Sequence, residues 1–99
     1  MELKDRIIAY IQTIPIGQVV SYGRVASACG KPNHARQVGR ILSTLDIFKI
    51  KIPWWRVVNA KGEISLKGHG YINKQAQADL LKQDGVKVMN FKVDKKYFL

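Results

Sequence analysis

The sequence predicts a mainly α-helical domain with short β segments, of the winged-helix-like helix-turn-helix class. Two short helical segments follow one another across a glycine-containing turn, and the chain then changes to short extended stretches. The third observation is the net charge. The 99 residues include 17 Lys and Arg against 7 Asp and Glu, which gives a formal net charge of +10. Such a balance on a small domain indicates a polyanionic partner, most often nucleic acid.

The first helix is predicted by apolar residues that recur at helical spacing from Leu3 to Ile11. Pro15 cannot continue a helix, so we expect the helix to end near Thr13. Residues 15–17 then form a turn, and residues 18–20 form a short extended link.

Two further helices are predicted on either side of a turn at residues 31–33. Ser21 can cap a helix that runs to Ala28 and closes at Gly30, and Asn33 can cap the next one. The apolar face of this third helix would consist of Val38, Ile41, Leu42 and Leu45.

The outer face of the third helix carries Arg36, Gln37 and Arg40 beside the small residues Ala35 and Gly39. Its backbone could therefore approach a groove closely with cationic side chains alongside. The plainer alternative is a solvated basic face. A glycine inside a helix, however, costs about 1 kcal/mol relative to alanine and usually has a packing or contact reason.

The second half of the chain is predicted to be less helical. The expected elements are an extended stretch at 50–53, β-like stretches at 56–60 and 63–66, a basic loop at 67–71, a helix capped by Asn73 that ends before Gly85, and a loosely alternating basic tail from Val86.

Trp54 and Trp55 are the most unusual feature of this half. Adjacent residues in an extended stretch point to opposite faces, so one tryptophan is expected in the core and the other at a surface or pocket. An exposed tryptophan among cationic groups is a stacking platform for a nucleobase. The alternative is that both are core aromatics.

The residues predict no cofactor, no metal site and no membrane partner. One cysteine and two distant histidines make no ligand cluster, and the glycines match neither a phosphate loop nor a dinucleotide-binding motif. Cys29 is expected to be an inert packing residue. The alternative of a reactive thiol stays open, because Lys31 and His34 are close in sequence and a nearby cation or base lowers the pKa of a thiol.

We expect one domain spanning residues 1–99, without a signal peptide or a bilayer-spanning run. The expected location is intracellular, in the cytoplasm or nucleoid if the source is bacterial.

Three blocks carry a family resemblance: VVSYGRVA at 19–26, ARQVG at 35–39 and IPWWRVVN at 52–59. In order and spacing they resemble the C-terminal DNA-binding domain of O6-alkylguanine-DNA alkyltransferases. The active enzymes carry Pro-Cys-His-Arg, in which the cysteine accepts the alkyl group and the histidine helps to form its thiolate. Here those two positions are Trp54 and Trp55. Tryptophan in place of the nucleophile is typical of the alkyltransferase-like proteins, so the resemblance implies a protein that is not an enzyme.

The resemblance also implies a function. Alkyltransferase-like proteins bind O6-alkylguanine in double-stranded DNA by docking a helix-turn-helix in the minor groove and flipping the nucleotide out, and they flag the lesion for nucleotide excision repair. The partners implied are duplex DNA containing O6-alkylguanine and nucleotide excision repair proteins, and the protein is expected to act as a monomer. The supporting glutamate of the active enzymes aligns with Ala78.

Site residues follow from the resemblance position by position. Tyr22 matches the tyrosine that crowds the phosphate beside the target, and Arg36 matches the arginine that fills the vacated space. Ala35 and Gly39 match the small residues that let the helix enter the minor groove. Lys67 matches a position where an arginine can contact the flipped base, and lysine lacks the planar stacking surface of arginine.

The lesion pocket implied by the resemblance is lined by Trp54, with Leu42 and Val57 as further walls. Two other functions stay open at this point. One is a residual alkyltransferase that uses Cys29, and the other is a helix-turn-helix transcription factor that recognises sequence rather than damage.

Overall fold

The computed structural model describes residues 2–66 and 70–99, and it is mainly α-helical with short β segments, as predicted. The elements are α1 (Leu3–Ile11), β1 (Val20–Ser21), α2 (Tyr22–Ala28), α3 (Ala35–Ser43), a 3-10 turn (Trp54–Arg56), β2 (Val57–Val58), α4 (Lys74–Gln83), β3 (Val88–Met89), β4 (Lys92–Val93) and a second 3-10 turn (Lys95–Tyr97).

The helices α1, α2 and α3 pack together over the larger of two hydrophobic core clusters. The predicted cap of α2 is confirmed, because the Ser21 hydroxyl accepts a hydrogen bond of 3.0 Å from the Arg24 amide. Strand β1 also pairs in parallel with β2, with Val20 opposite Val57. This ladder joins the two halves of the chain, and local sequence patterns give no sign of it.

The start of α3 differs from the prediction. The helix begins at Ala35 with His34 as the N-cap, and the His34 side chain makes no capping hydrogen bond. Asn33 is not the cap, because the His34 amide donates to the Lys31 carbonyl at 2.9 Å and so places Asn33 inside the preceding turn. Leu45 lies beyond the end of α3 and is nonetheless buried.

The two tryptophans do not lie in an extended stretch, which corrects that prediction. Residues 54–56 form a 3-10 turn, and strand pairing is confined to Val57 and Val58. Trp54 is buried in the larger cluster and Trp55 is half-buried. Their rings meet edge to face, with centroids 6.0 Å apart and planes at 87°. One of the two is thus a core residue, as expected, but through a tight turn rather than strand alternation.

The C-terminal third packs α4 and a β-hairpin over the second core cluster, which contains Leu81, Val86 and Val93. The predicted cap of α4 is confirmed, since the Asn73 side chain accepts from the Ala76 amide at 2.9 Å. The hairpin of β3 and β4 was not predicted, and of the β-like stretch at 63–66 only a single bridge from Glu63 to Lys92 forms.

A buried ion pair fastens α4 to the turn that carries the tryptophans. The Arg56 guanidinium donates from Nε to the Asp84 carboxylate at 2.7 Å and from Nη2 at 3.2 Å, and from Nη1 to the Ile14 carbonyl at 2.9 Å. The Trp55 indole donates to the same carboxylate at 3.0 Å. Asp84 therefore fixes the side chains on both sides of the Trp55–Arg56 peptide bond.

Gly62 should be irreplaceable by alanine. Its φ of +83° is left-handed, and a Cβ there would overlap the Val93 carbonyl oxygen. Left-handed strain of about 1–3 kcal/mol adds to this overlap, so we expect Gly62→Ala to lower the free energy of unfolding by about 3 kcal/mol or more. Gly30, with φ +79° and nothing within 4 Å of its Cβ position, is the matched control. Gly30→Ala should cost only about 1–2 kcal/mol in urea denaturation, and equal losses would contradict the overlap.

Asp84→Ala should lower the free energy of unfolding by about 3–5 kcal/mol, because it leaves the buried Arg56 charge unpaired. Asp79 lies on the same helix but is exposed and contacts only the Gln75 side chain among the described residues. Asp79→Ala should therefore change stability by less than about 0.5 kcal/mol. Thermal and urea unfolding of both variants make the comparison, and equal effects would show that the ion pair does not hold α4.

Candidate nucleic-acid interface

A groove runs between α2, the outer face of α3 and the chain at 65–66. It encloses about 370 Å³. The residues that line it are Tyr22, Ala35, Arg36, Gly39, Arg40, Ser43, Ser65 and Leu66. Four of the five residues predicted to contact DNA thus lie in one groove. Lys67, the fifth, lies outside the described residues.

Small residues and cations alternate along this face of α3. Arg36 and Arg40 are exposed and stand one helical turn apart, whereas Ala35 and Gly39 are half-buried between them. A Cβ built on Gly39 would lie 3.8 Å from Cε1 of Tyr22, which is ordinary contact. Packing inside the protein therefore does not require glycine at position 39.

Tyr22 forms the opposite wall of the groove. Its hydroxyl oxygen is buried and has no hydrogen-bond partner among the described residues. Burial raises the pKa of the Tyr22 phenol, and the neighbouring Ser65 side chain opposes this rise only in part. The hydroxyl is therefore neutral at physiological pH, and the Tyr22 ring rather than its hydroxyl faces the groove opening as a wall.

Trp54 lines a second, largely apolar cavity of about 680 Å³ between the end of α1, residues 47–53 and α4. Among the other lining residues are Ile47, Ile50, Pro53, Trp55 and Leu80. The groove and this cavity share one support, because Tyr22 and Trp54 both pack on the larger core cluster.

The structure places Leu42 and Val57 deeper than the sequence suggested. Both are fully buried in the larger core cluster, and neither lines the cavity beside Trp54. They belong to the same core cluster as Trp54, and their contact with a lesion stays a prediction.

The resemblance aligns the supporting glutamate of the active enzymes with Ala78. In the structure the acidic residue beside Trp55 is instead Asp84. Ala78 is buried in the second cluster and carries no carboxylate, whereas Asp84 accepts from the Trp55 indole. Gln77 was also missed. Its amide is fully buried and donates to the carbonyls of Trp55 at 3.0 Å and Val57 at 2.8 Å. The spacing of Gln77, Leu81 and Asp84 places all three on one helix face, which is the signal that could have identified them.

Cys29 does not have the surroundings of a nucleophile. Its side chain is 5% exposed. Burial raises the pKa of the Cys29 thiol, and the charge of Arg6 opposes this rise only in part. Within residues 2–66 and 70–99, no group of His, Cys, Asp and Glu side chains could hold a metal ion, and no helix is long and apolar enough to cross a membrane.

Comparison with known protein families gives one match that spans most of the chain. Residues 2–86 match the 6-O-methylguanine DNA methyltransferase, DNA binding domain family. A DNA base-flipping protein of Vibrio parahaemolyticus is 42% identical over 83 residues, which cover 84% of this chain and 79% of that protein. Alkyltransferase-like protein 1 of Schizosaccharomyces pombe is 34% identical over 87 residues, covering 88% of this chain and 79% of that protein.

The fold is similar to solved structures of the same group. The crystal structure of S. pombe Atl1 in complex with damaged DNA containing O6-carboxymethylguanine superposes with a TM-score of 0.87 at 31% identity, over 98% of this chain and 94% of that one. A Mycobacterium tuberculosis O6-methylguanine methyltransferase superposes with a TM-score of 0.66 at 29% identity, over 85% of this chain and 48% of that one. The chain therefore belongs to the family of the 6-O-methylguanine DNA methyltransferase DNA-binding domain, as one of its alkyltransferase-like members.

Proposed function

We propose that this protein binds O6-alkylguanine in duplex DNA, flips the damaged nucleotide out of the helix and holds it without transferring the alkyl group. In this proposal α3 enters the minor groove, and Arg36 fills the space that the nucleotide leaves. The names of the related base-flipping and alkyltransferase-like proteins, and the complex of one relative with alkylated DNA, support it.

Gly39 is the observation that carries the proposal. A glycine in the middle of a helix costs about 1 kcal/mol relative to alanine. Because a Cβ at position 39 would make only ordinary contact with Tyr22, the interior of the protein offers no compensation for this cost. A duplex that lies against α3 does offer one, since its sugar-phosphate backbone can approach the helix closely only where side chains are absent.

The energetics fit this role. Unpairing and unstacking one nucleotide costs a few kcal/mol, and less for a lesion that already pairs badly. Arg36 and Arg40 stand on the groove face with both guanidinium groups exposed. Phosphate contacts by such residues, together with the net charge of +10, favour the bound state and offset the cost of flipping.

We propose that the apolar cavity beside Trp54 receives the O6 substituent and that no transfer follows. Indole is neither a nucleophile nor a base, so Trp54 and Trp55 cannot perform the cysteine and histidine chemistry that the resemblance assigns to these positions. The buried, protonated thiol of Cys29 is a poor replacement. A bound lesion would therefore persist in a complex with the protein. We propose that the protein acts as a monomer and that the complex marks the site for nucleotide excision repair.

The protein should bind a duplex with one O6-methylguanine at least about tenfold more tightly than the same unmodified duplex. The salt dependence should be the same for both, because it arises from phosphates. About five phosphate contacts would give a slope of log affinity against log salt near −4.5, or about a twentyfold loss for each doubling of salt. Fluorescence titration of both duplexes at two salt concentrations measures the preference for the lesion and the salt dependence separately.

Equal affinity for the two duplexes would refute the proposal and favour a sequence-specific factor, which selection from random undamaged DNA would then identify. Incubation with tritiated methyl-DNA should leave the protein unlabelled. Label that disappears in Cys29→Ser would establish the residual transferase instead.

Arg36→Ala should weaken binding of the lesion duplex by about 1–3 kcal/mol, or roughly fivefold to 150-fold, and that of the unmodified duplex much less. Arg40, one turn further on, is the matched control. Arg40→Ala should weaken both duplexes equally, because a phosphate contact does not depend on the base. If Arg36→Ala also affected both duplexes equally, Arg36 would not occupy the vacated space.

A further inference from the structure

The hairpin of β3 and β4 carries a surface that is separate from the groove at α3 and from the cavity beside Trp54. We define this hairpin surface by Lys87, Met89, Lys92, Lys96 and Tyr97, which surround a cavity of about 340 Å³. None of these residues lines the groove at α3 or the cavity beside Trp54. The hairpin also packs on the second core cluster, whereas α1, α2 and α3 pack on the first.

The hairpin surface combines positive charge with an apolar centre. Met89 is 62% exposed between the exposed side chains of Lys87 and Lys92. Lys96 Nζ lies 5.2 Å from the centroid of the Tyr97 ring. Among the described residues, Asp94 is the only acid that lines the cavity, against three lysines, and its carboxylate accepts from the Lys96 amide at 2.9 Å.

Strand β3 offers a backbone edge beside this surface. In the hairpin Met89 pairs with Lys92 across a two-residue turn, and Val88 pairs with Val93. The pair next to such a turn exchanges both hydrogen bonds, so the Val88 amide and carbonyl point away from β4. On the far side β4 is already occupied, because the Val93 amide donates to the Gly62 carbonyl at 2.8 Å. Within residues 2–66 and 70–99, no backbone pairs with the outer side of β3, so β3 is the open edge of this small sheet there.

The tip of the hairpin holds an apolar residue in a strained conformation. Asn90 and Phe91 have φ angles of +52° and +57°, and the second position of such a turn normally carries glycine. Phe91 is 41% exposed there. A bulky residue kept at left-handed φ beside an exposed methionine extends the apolar surface at the end of β3.

We propose that the hairpin surface docks an acidic protein segment, which binds in extended conformation along the edge of β3. Its backbone pairs with Val88, its acidic side chains contact Lys87 and Lys92, and an apolar side chain enters the cavity at Met89 and Tyr97. A protein segment fits better than DNA, because phosphates would match the lysines but leave the methionine and phenylalanine without apolar contact.

Fluorescence anisotropy with a labelled peptide of Glu-Ser-Val-Ser repeats tests this docking at low salt, because residues two apart lie on the same strand face and so bring glutamate and valine to it together. We expect saturable binding to the full chain, weakened at least tenfold in Lys87→Glu/Lys92→Glu. The control Lys4→Glu/Lys49→Glu carries the same net charge on exposed residues outside the hairpin surface, and it should bind the peptide within twofold of the unmodified protein. A peptide with proline at each serine position keeps the charge and the valine but lacks the amides that pair with Val88 in an antiparallel ladder, and it should bind at least tenfold more weakly.

Four results would overturn the proposal: no binding of the serine-containing peptide, equal binding of the proline peptide, equal weakening in the control variant, or a loss of duplex affinity in the hairpin variant that exceeds the loss in the control. The last result would identify the hairpin as a DNA contact. Both variants should unfold at the temperature of the unmodified protein within a few degrees. Because lesion selectivity is measured separately on the unmodified protein, failure of the docking leaves the proposed DNA function intact.

Discussion

The cavity beside Trp54 depends on the hydrogen bonds that the Asp84 carboxylate accepts from Trp55 and Arg56. This carboxylate neutralises Arg56, whose side chain is largely buried, and it also accepts from the Trp55 indole. A buried guanidinium is tolerated only where its donors are satisfied, and Arg56 reaches both Asp84 and the Ile14 carbonyl. The end of α4, the tryptophan turn and the loop after α1 are thus joined at one point. Trp55 and Arg56, the two side chains that Asp84 holds, both line the cavity beside Trp54, so this contact positions part of its wall.

Sequence predicted the parts of the fold that short-range physics determines. The caps at Ser21 and Asn73 involve residues three positions apart, and the apolar spacing of the helices needs no distant partner. The parallel pairing of Val20 with Val57 depends on residues that are distant in the chain. The prediction of an extended stretch at the two tryptophans was wrong for a related reason. The Val57 carbonyl accepts a hydrogen bond from Gln77, which is twenty positions further along the chain. The hairpin is local, but its turn carries Asn90 and Phe91 at left-handed φ instead of the glycine that normally marks such a turn, so no turn signal is present in the sequence.

The residues of the candidate site also differ in whether local sequence pattern or distant packing determines their positions. The outer face of α3 was predictable, because the side chains that a helix leaves unburied are set by its period, and Tyr22 follows directly from the capped start of α2. Leu42 and Val57 show the limit of this reasoning. An apolar side chain that supports a pocket and one that lines it have the same pattern in sequence, and only packing separates them. Asp84 was missed because its partners, Trp55 and Arg56, lie in a different element.

Trp55 gains a structural role from these contacts. The resemblance places a histidine there in the active enzymes, where it serves the thiol, and this chain carries Trp54 at the thiol position. The larger indole packs against both core clusters and keeps a hydrogen bond to Asp84. An imidazole could keep that bond, but it would bury less apolar surface between the clusters. In 99 residues, where each core is small, a ring that joins the two makes the groove side and the hairpin side parts of one packed unit.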